Sequence, residues 1–206
     1  MTGYYLTATM LDSYALWETQ DWMTTQMLRD RLQRVYDDTP SIQRDVGIAL
    51  HSELEPEPTS TEGIEFDQES LEAIRAQLPK DRVAEVKQYL RIDGHVVACK
   101  ADWAHGLRVV DFKGRVPKEG LSSPPPFNAD KHMEAWQWRA YMLAFKAKVF
   151  QYWSIPCRLD REGVFHAGEP DILPLFAYDG MYADVASKVR AIAQFIQQQE
   201  LQVWAA

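Results

Sequence analysis

Cysteine is scarce in this chain. Cys99 and Cys157 are its two thiols, far apart and outside any paired spacing, so neither a disulfide framework nor a cysteine-based zinc or iron–sulfur site can be argued, and reduced thiols are expected. Long apolar runs are also missing. None approaches the roughly 20 residues of a membrane span, and the opening "MTGYYLTATMLDSY" lacks the basic end and apolar centre of a secretory signal. A soluble, cytoplasmic protein without a membrane partner is expected. Positive charge is in deficit: 22 Lys and Arg against 30 Asp and Glu leave a net charge of −8, which argues against a general polyanion binder. Internal repeats and low-complexity tracts are absent. What is present, 206 residues with 46% hydrophobic content, suits one buried core, and residues 1–206 read as a single domain.

The charge is unevenly spread. Residues 100–150 hold nine Lys and Arg against five Asp and Glu, a net of +4 that leaves −12 for the rest. A locally basic segment in an acidic chain fits a confined nucleic-acid site better than a broad binding face. The hydrophobic period predicts a helix over 8–36, and a second over 40–55 opened by Thr39 and Pro40. "EPEPTSTEG" is a proline-broken acidic loop, and 67–78 reads as a helix. The period then shortens, and 85–92, 95–103 and 107–113 read as consecutive strands joined by Asp93-Gly94 and by a turn at His105-Gly106. A proline-rich connection leads to a helix of about 17 residues from Asp130. A strand near 148–155, a hairpin-like "CRLDREGVFHAGE" and a closing helix over 181–199 follow. This order predicts an α/β fold, a small mixed central sheet flanked by helices.

Two of the strands carry an anomaly. "HVVACKADWAHGLRVVDFKGR" places Asp102, Asp111 and Lys113 among apolar residues, where carboxylates are costly to bury unless a cation lies between them. A two-residue loop at His105-Gly106 would pair residues whose numbers sum to 211, and a four-residue loop those summing to 213. Both put the three groups on one face, the second pairing the aspartates directly. Facing carboxylates repel unless a divalent cation neutralises them. Taken alone, such a pattern is more often a lysine bridging an aspartate at a sheet edge.

Context strengthens it. Asp102 and Asp111-Phe112-Lys113 on a hairpin resemble the signature of the PD-(D/E)xK nuclease superfamily. "GIALHSELE", with His51 following Gly47, is similar to the G-x-x-x-H motif of its RecB-like branch, which includes RecE-type exonucleases and CRISPR-adaptation nucleases. "QWRAY" matches that branch's Q-x-x-x-Y motif through Gln137 and Tyr141. "LTATMLDSY" looks like its usual start and "CRLDREGVFHAGE" before a helix like its usual end, so the resemblance spans nearly the whole chain. Ala98 stands four before Asp102, and the superfamily's proline is missing. The cluster-forming cysteines of some relatives are also missing, so no iron–sulfur cluster is expected.

The resemblance implies a restriction-endonuclease-like core and a Mg²⁺- or Mn²⁺-dependent nuclease. Asp102, Asp111, His51 and the Phe112 carbonyl would hold one or two ions. Lys113, its pKa lowered beside the cation, would orient or deprotonate the attacking water, with Asp102, Asp111 and Lys113 forming the catalytic set. Gln137 and Tyr141, on one helical face, would position the strand being cut, Arg115 and Lys118 would meet phosphate, and Glu85 would be an outer acid. The loop over 117–128 would border the substrate channel. Trp103, Trp136 and Trp138 read as core aromatics rather than base-stacking platforms. The implied substrate is DNA, as ends or single strands, cut by an exonuclease of recombination, repair or phage DNA metabolism in a bacterial or phage-infected cell, with a recombination or replication protein as partner. The rivals are a structure-selective endonuclease, a catalytically silent DNA-binding or scaffolding module, and a hydrolase of free nucleotides.

Overall fold

The structure, a computed structural model, describes residues 3–35, 39, 41–55, 63–118 and 123–205. Capping residues decide where its helices begin. The stretch expected as one helix over 8–36 forms two, α1 (Ala8–Thr19) and α2 (Thr25–Leu32). The chain turns extended at Gln20, and Thr24 opens the second helix by accepting a hydrogen bond from the Met27 amide at 3.2 Å. α3 (Ile42–Leu54) starts later than expected, because Ser41 rather than Thr39 accepts from the Arg44 amide, at 3.4 Å. Pro40 and most of the acidic loop, 56–62, lie outside the described residues. α4 (Gln68–Arg75) is capped by Asp67, whose carboxylate accepts from the Ser70 amide at 2.8 Å.

The three expected strands are β3 (Val83–Ile92), β4 (His95–His105) and β5 (Arg108–Arg115). Asp93 and Gly94 both take positive φ, 49° and 83°, the geometry of a tight hairpin whose twist matches its strands. The second turn lies one residue later than expected. His105 pairs Arg108 across Gly106 and Leu107, and Trp103 pairs Val110, which fixes the register at the sum 213. The helix expected from Asp130 breaks into α5 (Ala129–Glu134) and α6 (Gln137–Phe145), because Ala135 leaves helical geometry with ψ 146°. β6 (Val149–Leu159), β7 (Val164–Ala167), β8 (Asp171–Phe176) and α7 (Met181–Gln198) complete the chain. β8 was not expected. Its Pro174 argues against a central strand, and β8 pairs β6 alone, where a missing amide is tolerated. The short β1 (Tyr5–Thr7) and β2 (Glu65–Phe66) also carry too few residues for a period to be read.

Eight strands make one mixed sheet in the order β1-β4-β5-β6-β7-β2, with β3 added to β4 and β8 to β6. β3 runs along one edge of β4. On the other edge β1 takes the first half, pairing Val96 to Ala98, and β5 takes the last three residues. β4 and β5 therefore part company beyond Trp103 and Val110, leaving a fork in the sheet, while β5 stays paired to β6 along its whole length. Helices cover both faces. α1, α2, α6 and α7 bury one core with Val109, Phe150 and Tyr152, and α3 and α4 bury a second with Trp103, Val110, Phe112 and Ile155. The buried stripe Val185, Val189, Ile192 and Ile196 anchors α7, each such side chain contributing roughly 1.5–3 kcal/mol. Among the described residues no helix is long and apolar enough to cross a membrane.

Candidate active site

The sheet's fork creates the site. Past Trp103 and Val110 the β5 backbone has lost its β4 partner, and the Phe112 amide would be left unpaired beside a buried strand. Asp102 supplies the acceptor: its Oδ2 takes the Phe112 N–H at 2.5 Å. The strand is distorted there. Ala101 faces the first core and Trp103 the second, so the alternation of faces breaks at Asp102. The β3–β4 ladder also skips that position, where Glu85 stands opposite with φ 54°. An unbroken strand would have carried Asp102 onto the face shared by Asp111 and Lys113. In the structure Asp102 spans the fork instead of standing square on one face.

α3 brings His51 to the same place. Gly114 lets the helix close on β5, since a Cβ on it would lie 3.3 Å from Leu50 Cδ2 and 3.7 Å from the Gly47 Cα. One turn beyond Gly47, His51 sets Nε2 2.8 Å from the Phe112 carbonyl and Nδ1 3.2 Å from Asp102 Oδ1. Burial acts to lower the His51 pKa, but the hydrogen bond to Asp102 and the charges of Asp102 and Asp111 outweigh it and raise the value. A cleft of about 540 Å³ opens between α3 and the fork, lined by Arg44, His51, Glu85, Lys100 and Lys113 among others. Glu85 pairs with Lys100 on its wall.

Asp111 is 3% exposed. Its Oδ1 accepts from Gln137 Nε2 at 3.2 Å, and its Oδ2 lies 2.5 Å from Lys113 Nζ with no further hydrogen-bond partner among the described residues. Burial, together with the charge of Asp102 and against that of Lys113, pushes the Asp111 carboxyl up to about 6. Lys113 does not have the lowered pKa expected for it. Burial disfavours its charge, yet the neighbouring Asp111 and Asp102 carboxylates overcome this and raise the value. In the protein alone it is a firmly charged ammonium.

Gln137 and Tyr141, expected to contact substrate, are buried, and the Gln137 Nε2 and the Tyr141 hydroxyl are engaged by the protein. Gln137 Nε2 also donates to the Tyr141 hydroxyl at 3.2 Å, and that hydroxyl donates to the Lys100 carbonyl at 2.6 Å. One helical face thus braces both prongs of the fork, β5 through Asp111 and β4 through Lys100. Arg115, expected at phosphate, donates to the Pro125 carbonyl at 2.8 Å, pairs with Asp171 and stands 6.0 Å from the Phe127 ring. It pins the proline-rich segment to the sheet. Lys118 is exposed at the start of that segment. The loop expected to border a channel is described except for 119–122. Trp103 and Trp138 are core residues, as expected, and Trp136 packs against the first core.

Three neighbours of the site belong to no site motif in the sequence. Asp12 on α1 accepts hydrogen bonds from the Trp136 and Gln137 amides. On β6, Tyr152 pairs with Asp111 and Ser154 with Lys113 in register, and both of their hydroxyls are buried without a hydrogen-bond partner among the described residues. A charged residue inside the apolar period of "TMLDSYAL" was the available signal for Asp12. Nothing comparable marks the two hydroxyls.

Two carboxylates, a main-chain carbonyl and an imidazole form a donor set whose chemistry suits Mg²⁺ or Mn²⁺. Asp111 Oδ2, held by an ion pair alone, is the oxygen best able to accept a cation. Among the described residues no three His, Cys, Asp or Glu side chains form a ready-made cage. Lys113 supplies positive charge within the cluster, and His51 adds to it when protonated.

No family model matches the chain, and no curated protein does. Solved structures are similar to it. A protein from Eubacterium rectale provisionally described as an exonuclease shares 14% identity, over 98% of this chain and 84% of its own, with a TM-score of 0.57. The alkaline exonuclease LHK-Exo from Laribacter hongkongensis shares 12% identity over 95% of this chain and 90% of its own, with a TM-score of 0.56. LHK-Exo in complex with dAMP gives 13% identity, 95% and 89% coverage and a TM-score of 0.54. The chain therefore has the expected α/β fold with a restriction-endonuclease-like core.

Proposed function

We propose that this protein is a metal-dependent deoxyribonuclease of the RecB-like branch, acting as an exonuclease on DNA ends. The observation that carries the reading is the meeting of Asp102, Asp111, Lys113 and His51 at the fork of β4 and β5, in a fold whose solved neighbours include exonucleases.

A phosphodiester is anionic and repels a nucleophile, so its hydrolysis needs local positive charge. Asp102, Asp111, the Phe112 carbonyl and His51 would hold Mg²⁺ or Mn²⁺, which when bound polarises the phosphate and activates water. Lys113, kept as an ammonium by its carboxylate neighbours, orients the attacking water and stabilises the charge that builds on the phosphate oxygens. Gln137 fixes Asp111 through its Oδ1, and Tyr141 fixes β4 at Lys100. Neither then needs to touch DNA. Arg44 and Lys100 line the cleft and are placed to meet the backbone of the strand that enters it. Exposed Lys118 adds a further phosphate contact.

The test is cleavage of end-labelled linear and covalently closed circular DNA with Mn²⁺, Mg²⁺ or chelator. Linear DNA should be shortened from its ends only when a metal ion is present, and Asp102→Asn or Lys113→Ala should lower turnover by at least about 10²-fold without unfolding the protein. Cleavage of circles at the rate of linear DNA would replace the exonuclease with an endonuclease. Undiminished activity in either variant would sink the site.

A further inference from the structure

We propose that Asp12 is the positioning residue that sets Gln137, and through it Asp111, from outside the fork. The inference rests on the nuclease reading for its activity readout and stands on geometry for the rest.

A helix starts with amide groups that its own residues cannot satisfy. α6 opens after Trp136, whose side chain caps nothing, and Trp136 follows directly on Ala135, where α5 has ended. The missing acceptor comes from α1, 124 residues away in sequence. Asp12 Oδ1 takes the N–H of Trp136 and, at 3.0 Å, that of Gln137. One carboxylate thus caps α6 in trans. The interaction is charge-assisted and directed at a helix N-terminus, where negative charge is favoured.

The residue held by this cap is the one that reaches the site. Gln137 turns its amide onto Asp111 Oδ1 and the Tyr141 hydroxyl, each at 3.2 Å. Sliding or rotation of α6 would move that amide off Asp111 and the Tyr141 hydroxyl off the Lys100 carbonyl together. Asp12 is held in burial strong enough to raise its pKa against both amide bonds and the charges of Lys113 and Arg139. An apolar residue would satisfy that burial without cost. A half-buried carboxylate at this place, with its Oδ1 spent on the first turn of α6, is accounted for by the need to fix that turn.

Four variants test it: Asp12→Asn, Asp12→Ala, Gln137→Ala, and Asp12→Ala combined with Gln137→Ala. Asparagine keeps the Oδ1 acceptor and should retain cleavage within about 3-fold. Alanine should lower kcat roughly 10- to 100-fold, the range a small misplacement of a reacting group costs, with KM moving by less than about 3-fold. If Asp12 acts through Gln137, the double variant should be no worse than the poorer single one, because residues working as a unit do not add. Hydrogen exchange supplies the readout independent of activity. Amide protection at Trp136 and Gln137 should fall in Asp12→Ala and persist in Asp12→Asn.

Losses that multiply in the double variant, a folded Asp12→Asn as poor as Asp12→Ala, or unchanged protection in Asp12→Ala would each overturn the proposal. Should Asp12→Ala fail to fold, a folded Asp12→Asn with fast exchange at Gln137 would do the same. Should the wild-type chain cleave nothing, the nuclease reading falls, and the exchange result alone decides whether Asp12 holds α6.

Discussion

Replacing Asp111 with asparagine should make the metal-free protein more stable at neutral pH while ending turnover. The carboxyl is 3% exposed, and burial lifts its pKa from 3.8 to about 6 despite Lys113. The folded state therefore holds this proton more tightly than the unfolded state does. The stabilisation that goes with it is complete below 3.8 and is lost as the pH rises through about 6. Each tenfold difference in proton affinity is worth about 1.4 kcal/mol, so the ionised carboxylate costs the fold at most about 3 kcal/mol above neutrality. Asparagine keeps an oxygen for Gln137 and removes the charge, and Lys113, whose side chain is 36% exposed, can turn to solvent. Urea denaturation in the presence of a chelator should show Asp111→Asn more stable than wild type by about 1–3 kcal/mol near pH 7.5, narrowing to under about 1 kcal/mol near pH 4. A variant less stable than wild type at the higher pH, or a gap of equal size at both, would refute the reasoning.

Tyr152→Phe and Ser154→Ala remove buried hydroxyls that have no hydrogen-bond partner among the described residues; each should leave the melting temperature unchanged or raise it, whereas a loss above about 1 kcal/mol would mean the hydroxyl is bonded in the free protein. Gly114→Val drives a branched side chain into Leu50 and the Gly47 backbone and should cost about 1–3 kcal/mol. It should also weaken Mn²⁺ uptake by calorimetry, since His51 moves off β5; unchanged uptake would dissociate α3 from the site. Burial chiefly, with Lys113 and Lys131 adding, depresses the His132 pKa from 6.5 to about 4, so His132 withholds stability as the pH falls between those values. His132→Phe should flatten that part of the pH–stability curve by about 1 kcal/mol, a figure reduced for solvent screening, and a curve of unchanged slope would remove the histidine from the account.

The strands that carry the candidate site were legible because their signals are local. Asp93-Gly94 dictates its hairpin, and the alternation around Val109 to Lys113 survives in β5. The face assignment of Asp102 was not legible, because it depends on a break in alternation opposite Glu85 that no residue type announces. Gln137 and Tyr141 could be put on one side of a helix from spacing alone, yet what they touch depends on β4 and β5 diverging, a property of pairing between distant segments. The start of α6 was missed for the same reason. Nothing within "MEAWQWRAY" caps it, and the carboxylate that does belongs to α1. β8 was hidden by Pro174, a residue that counts against a strand unless the strand's place at the margin is known.

One main-chain amide gives this centre a built-in reporter. The Phe112 N–H is bonded to Asp102 Oδ2 across the gap where the two strands separate, so it is sheltered by a side chain that has other work to do. Any guest drawing that oxygen away uncovers the amide, and occupancy of the pocket becomes readable, without substrate or turnover, as the rate at which a single backbone proton trades with solvent deuterium.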